Sequence, residues 1–183
     1  MLAGLASIAL QIWPSGNSEP EKAKIDFLVN LQTAHIVEIA QNDSKTKIRL
    51  IRTKDGAWQI SKASTEKYPA DRKIVAQIDM FGRTRVERQI GGQIPSGLAP
   101  SELAKYGLGN PEITLSLFNK TPVEDNMPAQ IIRFGDVAPD RLSRYVHDSN
   151  RQAIVAVADY QYKNLVALIM AATATKPADP NDL

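Results

Sequence analysis

Hydrophobic and polar residues alternate with a two-residue period over much of the chain. In residues 45–53, Ile48 and Leu50 fall on one side and Lys45, Lys47 and Arg49 on the other, the pattern of a strand with one buried face. Residues 57–61 repeat it with Trp58 and Ile60, and the intervening Asp55-Gly56 is a tight-hairpin dipeptide. Residues 25–40 alternate in two sets, Phe27, Val29 and Leu31, then His35, Val37 and Ile39. An antiparallel meander is therefore expected to open the domain. A helix is predicted over 71–81, because Ile74, Val75, Ile78 and Phe81 recur at helical spacing behind Asp71 at the N-cap position, with Gly82 closing it. Trp58 is expected to be buried against this helix. Residues 83–90 then return to extended chain.

Gly91-Gly92 and Pro95-Ser96-Gly97 mark the clearest internal break. Beyond it, residues 101–111 read as a short helix, a glycine stop and a return to extended chain. Ser101 is placed to cap the helix, Glu102 and Lys105 complement its dipole, and Gly107 fits the left-handed closing position, with Leu108 folding back on Leu103. Pro111 then holds Asn110 extended. Ile113, Leu115 and Leu117 form a one-sided strand. Residues 119–128 read as a polar loop, and 129–134 as a strand stopped by Gly135. Residues 144–147 and 153–157 read as a hairpin around Asp148-Ser149-Asn150. Leu165, Leu168 and Ile169 set the core stripe of a last helix over 160–172. The polar tail, 173–183, is expected to be disordered. The fold class that follows is α+β: two small antiparallel sheet-and-helix subdomains, 25–92 and 98–172, packed together.

Residues 1–13 are uncharged and apolar, but shorter than the roughly 20 residues that span a bilayer, and they lack the basic flank of a signal peptide. Three readings fit: a membrane anchor that begins upstream, a core or amphipathic helix, and a free signal peptide. The first is preferred. Residues 14–24, rich in Pro, Ser and Glu, read as a polar linker behind it, and Trp13 suits a membrane interface.

The 183 residues are 43% hydrophobic, enough for a substantial core, and a net charge of +2 is too small for a nucleic-acid footprint. Without cysteine there is no thiolate catalysis, Cys-ligated zinc or disulfide. His35 and His147 sit in strand-like runs without metal-ligand spacing. Neither Glu124-Asp125 nor the pair Asp136 and Asp140 matches a calcium loop. No serine stands in a nucleophile elbow, and neither Gly91-Gly92 nor Gly107-x-Gly109 has the lysine and helix start of a phosphate loop. Lys45, Lys47 and Arg49 with Arg83, Arg85 and Arg88 could gather into a basic patch; ordinary solvated strand faces explain them as well. No catalytic, cofactor-binding or metal-binding residue is therefore assigned, and no cofactor is expected.

The run Leu103-Ala104-Lys105-Tyr106-Gly107-Leu108-Gly109-Asn110-Pro111 followed by a strand resembles the Tyr-Gly-Leu-x-x-Pro signature of the bacterial domain-of-unknown-function family numbered 4340. Asp55-Gly56-x-Trp58, Ala70-Asp71 before a helix, Gly135 after a hydrophobic strand, and Tyr145-Val146 resemble the family's other segments in order, over residues 37–165. The resemblance implies an extracytoplasmic domain behind an N-terminal membrane helix; some members resemble auxiliary components of ABC-type transport systems linked to gliding motility. It implies no catalytic residues. The expected function is that of a non-enzymatic, membrane-tethered periplasmic domain that assists a transporter or envelope protein. A periplasmic ligand- or glycan-binding module is the alternative, and a hydrolase whose carboxylates meet only on folding is a third reading. The first requires a flat, partner-sized surface, the second a deep pocket with aromatic walls.

Overall fold

The computed structural model describes residues 25–42, 46–62, 67–90, 99–119 and 127–174. The expectations for residues 1–24, for the break at 91–97, for Glu124-Asp125 and for the tail beyond Ala174 lie outside them.

The elements run β1 (Ile36–Gln41), β2 (Thr46–Arg52), β3 (Trp58–Lys62), β4 (Lys67–Pro69), α1 (Arg72–Gly82), β5 (Arg88–Ile90), α2 (Pro100–Ala104), β6 (Ile113–Phe118), β7 (Gln130–Val137), β8 (Ser143–Asp148), β9 (Ala153–Ala158) and α3 (Asp159–Ala174). All nine strands lie in one sheet, ordered β4-β3-β2-β1-β6-β7-β8-β9-β5, and every neighbouring pair is antiparallel. The α+β class holds, but the strands of the two halves form a single sheet instead of two small ones. The reason is the seam between β1 and β6, which pair from Ile36↔Phe118 to Gln41↔Ile113 and leave no sheet edge between the halves. Reading outward from this seam, each half is a four-strand meander followed by a helix, the order that a two-fold axis between β1 and β6 would generate. The two halves thus share one strand order and one following helix. β5 departs from the symmetry by adding to the β9 edge.

Alternation decides which face is buried. Val37 and Ile39, Ile48 and Leu50, Trp58 and Ile60, Ile113, Leu115 and Leu117, Ile132 and Phe134, Val146, and Val155 and Val157 share one core with Ile74, Ile78 and Phe81 of α1 and Leu165, Leu168 and Ile169 of α3. α1 and α3 pack on each other over this face. Each large aliphatic side chain so buried contributes about 1.5–3 kcal/mol. Trp58 is buried in the same core, as its alternation with Ile60 required.

The local signals act as expected at several points. Asp71 caps α1, its carboxylate accepting the Ile74 N–H at 2.8 Å. Gly56 turns the β2–β3 hairpin at φ +87°. β4 ends in Pro69 at the sheet edge, where a missing N–H costs no ladder bond.

Four expectations are corrected. The alternation of Phe27, Val29 and Leu31 does not make a strand; Phe27 forms one isolated bridge to Arg85, and the adjacent Leu28 and Val29 are both buried. Within 83–90 only Arg88–Ile90 joins the sheet. Ser101 caps nothing, because α2 starts one residue earlier at Pro100 with Ala99 in the cap position. Gly135 does not stop β7, which continues to Val137 through an irregularity between Phe134 and Val137. In addition, α3 takes in Thr173 and Ala174, which had been assigned to the tail.

Candidate functional site

The signature turn is a packing device. Gly107 adopts φ +68°, and the Leu108 N–H returns to the Leu103 carbonyl at 2.9 Å, closing α2 as a left-handed cap does. The Tyr106 carbonyl accepts the Asp136 N–H at 2.9 Å, just past Gly135. A Cβ on Gly135 would overlap that carbonyl, and one on Gly107 would overlap the Asp136 side chain. The two glycines thus let the turn seat on the irregular part of β7. Leu108 is buried beneath it, and the Tyr106 ring meets Tyr145 edge-on at 4.9 Å. Asn110, in the variable part of the motif, accepts from the Asn42 amide at 2.6 Å.

Beside this turn lies a polar node. Arg144 is buried, donates from Nε to Asp159 at 3.0 Å and from Nη1 to the Gly135 carbonyl at 2.7 Å, and lies 3.6 Å from the Tyr162 ring centroid. The Tyr162 hydroxyl donates to Glu112, which also stands 3.5 Å from Arg144. Burial, then the Glu112 acceptor, pushes the Tyr162 hydroxyl up to about 12. Burial works to raise Asp159, but Lys163 and Arg144 outweigh it and leave that carboxyl below its ordinary range. Every charge in the node has a partner, so it fastens α3 to β7 and β8 and offers no free group for chemistry.

A second node ties the start of the described chain to the sheet. Asp148, buried, accepts from Gln130 and from the Asn150 N–H, both at 2.9 Å, and pairs with Arg151 at 3.1 Å. Arg151 also holds Asp26 at 2.6 Å and the Phe27 carbonyl at 2.8 Å. The carboxylates Asp136 and Asp140 likewise make no metal site. Asp140 accepts from the Leu142 and Ser143 N–H groups and the Ser143 hydroxyl, and these bonds, Ser143 first, hold its carboxyl down to about 2. Among the described residues no cluster of acids and histidines could hold a metal ion, and no helix is long and apolar enough to cross a membrane.

The five described basic residues of that set do not gather into one patch. Lys47 and Arg49 on β2 clamp Glu38 of β1 at 2.6 and 2.5 Å. Burial works to raise Glu38, and the Lys47 and Arg49 contacts outweigh it, leaving the carboxyl below its ordinary range. Arg88 on β5 pairs with Asp140, and five strands separate it from β2. Arg83 and Arg85 lie past the end of α1, and Lys45 is outside the described residues.

Two features of the described residues bear on a partner. One is a cleft of about 610 Å³ between the 27–32 segment and the end of α1, reached by Arg52, Asp79 and Arg83; Phe27 is the one aromatic ring on its described lining. The other is the face of the sheet turned away from α1 and α3. Across its middle, Lys47, Ala40, Thr114, Arg133 and His147 stand opposite one another in register on β2, β1, β6, β7 and β8. A parallel row holds Ser61, Arg49, Glu38, Ser116 and Ile131. Thr114, Ser116, Ile131, Arg133 and His147 are half-buried, and Ile154, which continues the first row opposite His147, is buried. Arg133 Nη1 lies 3.3 Å from His147 Nδ1. Burial, then the Arg133 charge, holds the His147 ring below its ordinary range, so the neutral ring accepts from the guanidinium. His35 lies at the start of β1, where its carbonyl accepts the Arg52 N–H at 2.8 Å. The pairing of Arg133 with His147 escaped sequence reasoning. The available signal was parity: each occupies the polar phase of its strand, but only the register of β7 against β8 makes them opposite.

A family model described as a domain of unknown function (DUF4340) matches residues 58–179. The span runs from β3 through α3 and includes the Tyr106-Gly107-Leu108 turn and Gly135. It leaves out β1 and β2, which occupy the middle of the sheet. No curated protein and no solved structure matches the chain.

Proposed function

The chain belongs to the DUF4340 family, and from that premise we propose that it is a non-enzymatic, membrane-tethered extracytoplasmic domain whose open sheet face docks a protein of an ABC-type transport or envelope system. The observation that carries the reading is the row Lys47, Ala40, Thr114, Arg133 and His147, which five adjoining strands hold in register on the face turned away from α1 and α3. Such a face suits a protein partner better than a small molecule, which is bound in concave, largely apolar pockets. Tethering is inferred from the uncharged run at 1–13 and the polar linker at 14–24. The second reading, a ligand- or glycan-binding module, has the 610 Å³ cleft in its favour, but the single ring on its described lining is a poor stacking wall for sugars.

The test places a photoreactive residue at Thr114 or Ser116 of the full chain, with exposed Lys73 on α1 as the control position, in cells that make the protein. The reading expects the chain in the membrane fraction and crosslinks from β6, but not from α1, to an integral transporter or envelope protein. Recovery away from membranes, or equal crosslinking from all three positions, overturns it.

A further inference from the structure

We propose that the open face takes a carboxylate-bearing segment of its partner, with Arg133 as the central anchor and His147 and Thr114 flanking it. The inference rests on the docking reading above and adds the partner's chemistry to it.

Charge bookkeeping on that face is the first argument. At strand positions alternating away from the core, the described residues supply Lys47, Arg49, Lys67, Arg88, Arg133 and His147. Glu38 is taken by Lys47 and Arg49, and Asp140 by Arg88. Arg133 has no carboxylate within ion-pair distance among the described residues; its side-chain contact is a histidine. Asp148, next to His147 in sequence, points to the other side, where it is buried and bound to Gln130 and Arg151.

The second argument is local. His147 accepts from Arg133 as a neutral ring, so the contact leaves the guanidinium charge uncompensated. Here β7 and β8 place Arg133 against His147, and β6 places the Thr114 hydroxyl on the other flank of Arg133. A carboxylate seated among the three would balance that charge, accept from the guanidinium in a fork-to-fork pair and take the hydroxyl as a further donor. Half-burial of all three side chains partly desolvates the site, which strengthens a charged contact relative to one in open water.

The third argument separates a protein segment from a lipid surface. Of the exposed large apolar residues, which an interfacial contact would use, Ile25, Phe27, Met80, Tyr160 and Met170 lie on or before α1 or on α3, Met127, Val137 and Leu142 lie before, at the end of and after β7, and none stands in the Arg133 row. The Arg133 row offers charges, hydroxyls and one alanine. An extended acidic peptide across antiparallel strands can present alternate carboxylates to such a row.

The experiment titrates the full chain with a synthetic ten-residue peptide of alternating Glu and Thr, followed by amide and side-chain NMR. Shift changes are expected on β1, β6, β7 and β8 and at the Arg133 Nε and His147 ring, with binding weakened by salt. Arg133→Gln should lower affinity two- to fivefold, the effect of one partly exposed ion pair, and Arg133→Lys should restore part of it. Glu38→Gln, which frees Lys47 and Arg49, should tighten binding. Shifts confined to the cleft, unchanged affinity in both Arg133→Gln and Glu38→Gln, or equal binding of anionic phosphatidylglycerol vesicles and peptide overturn the carboxylate assignment. If Arg133→Gln leaves the crosslinks from Thr114 intact, docking stands and the carboxylate site falls. If wild-type Thr114 gives no membrane-protein crosslinks, the docking reading itself falls.

Discussion

At the scale of single residues, two kinds of position carry consequence: glycines that admit a close approach and polar groups whose ionisation is fixed by their neighbours. Gly107 combines φ +68° with contact against Asp136, so a side chain there is strained twice over. Gly107→Val is expected to cost about 1–2 kcal/mol for the left-handed conformation and about 1–3 kcal/mol more for overpacking. Gly109→Ala should cost much less, since its Cβ would meet Ala104 at an ordinary 3.5 Å. Thermal melts of the two variants check this; equal melting temperatures would refute the packing role of the turn. For Tyr162, folding favours the neutral phenol, raising the pKa from 10.0 to about 12. Its contribution is therefore full below pH 10 and is lost as pH rises through about 12. Ultraviolet titration should show one tyrosine ionising near pH 12, and Glu112→Gln should bring that transition down by removing the charged acceptor.

At the scale of elements, caps separate helices that look alike on paper. Asp71 and Ser101 both precede or open a helix and both belong to the good capping residues. Only Asp71 accepts a backbone N–H, from Ile74, whereas Ser101 falls inside α2. Asp71→Ala should destabilise by about 1 kcal/mol, and Ser101→Ala by less than about 0.5 kcal/mol, measured by urea unfolding. The difference arises because Pro100 is well suited to the first helical turn, where its missing N–H is no loss, and so the cap falls at Ala99, two residues before Ser101. β7 shows the converse. Gly135 has the look of a strand end, but the Tyr106 carbonyl on the signature turn fills the space that a side chain would take, and the strand runs on.

At the scale of the whole molecule, the β1–β6 seam makes two halves into one cooperative body. β1 lies outside the family-matched span and β6 inside it, but they pair over six residues each. Their amides should be among the slowest to exchange with solvent, and at a common free energy, because opening either strand divides the sheet at its centre. The short edges β4 and β5 should exchange faster. Hydrogen exchange followed by NMR tests this, and independent exchange of the halves would show that the seam does not couple them. The same seam builds the open face, since Thr114 and Ser116 of β6 complete rows begun on β1 and β2 and continued on β7 and β8.

Much of this protein is local and therefore legible in the chain. Periodicity assigns the buried phase of β2, β3 and β6 and the core stripes of α1 and α3. Asp55-Gly56, Asp71 and Gly107 mark a hairpin, a cap and a helix stop because each works through backbone within a few residues of itself. What remained hidden depends on contacts between distant segments. That one sheet replaces two follows from pairing 36–41 with 113–118, which no local pattern encodes. Phe27 alternates like a strand residue but finds only a one-residue bridge, since its flanks are committed to Thr84 and Arg151. Lys47 and Arg49 share Glu38, but five strands separate them from Arg88 on β5. Arg133 and His147, 14 residues apart, become neighbours only through the register of β7 on β8. The sequence by itself determined which residues turn inward and where the chain bends, because those depend on short-range backbone preference and burial. Tertiary structure alone decided which polar residues share a surface, because register and strand order are set by the sum of many long-range pairings.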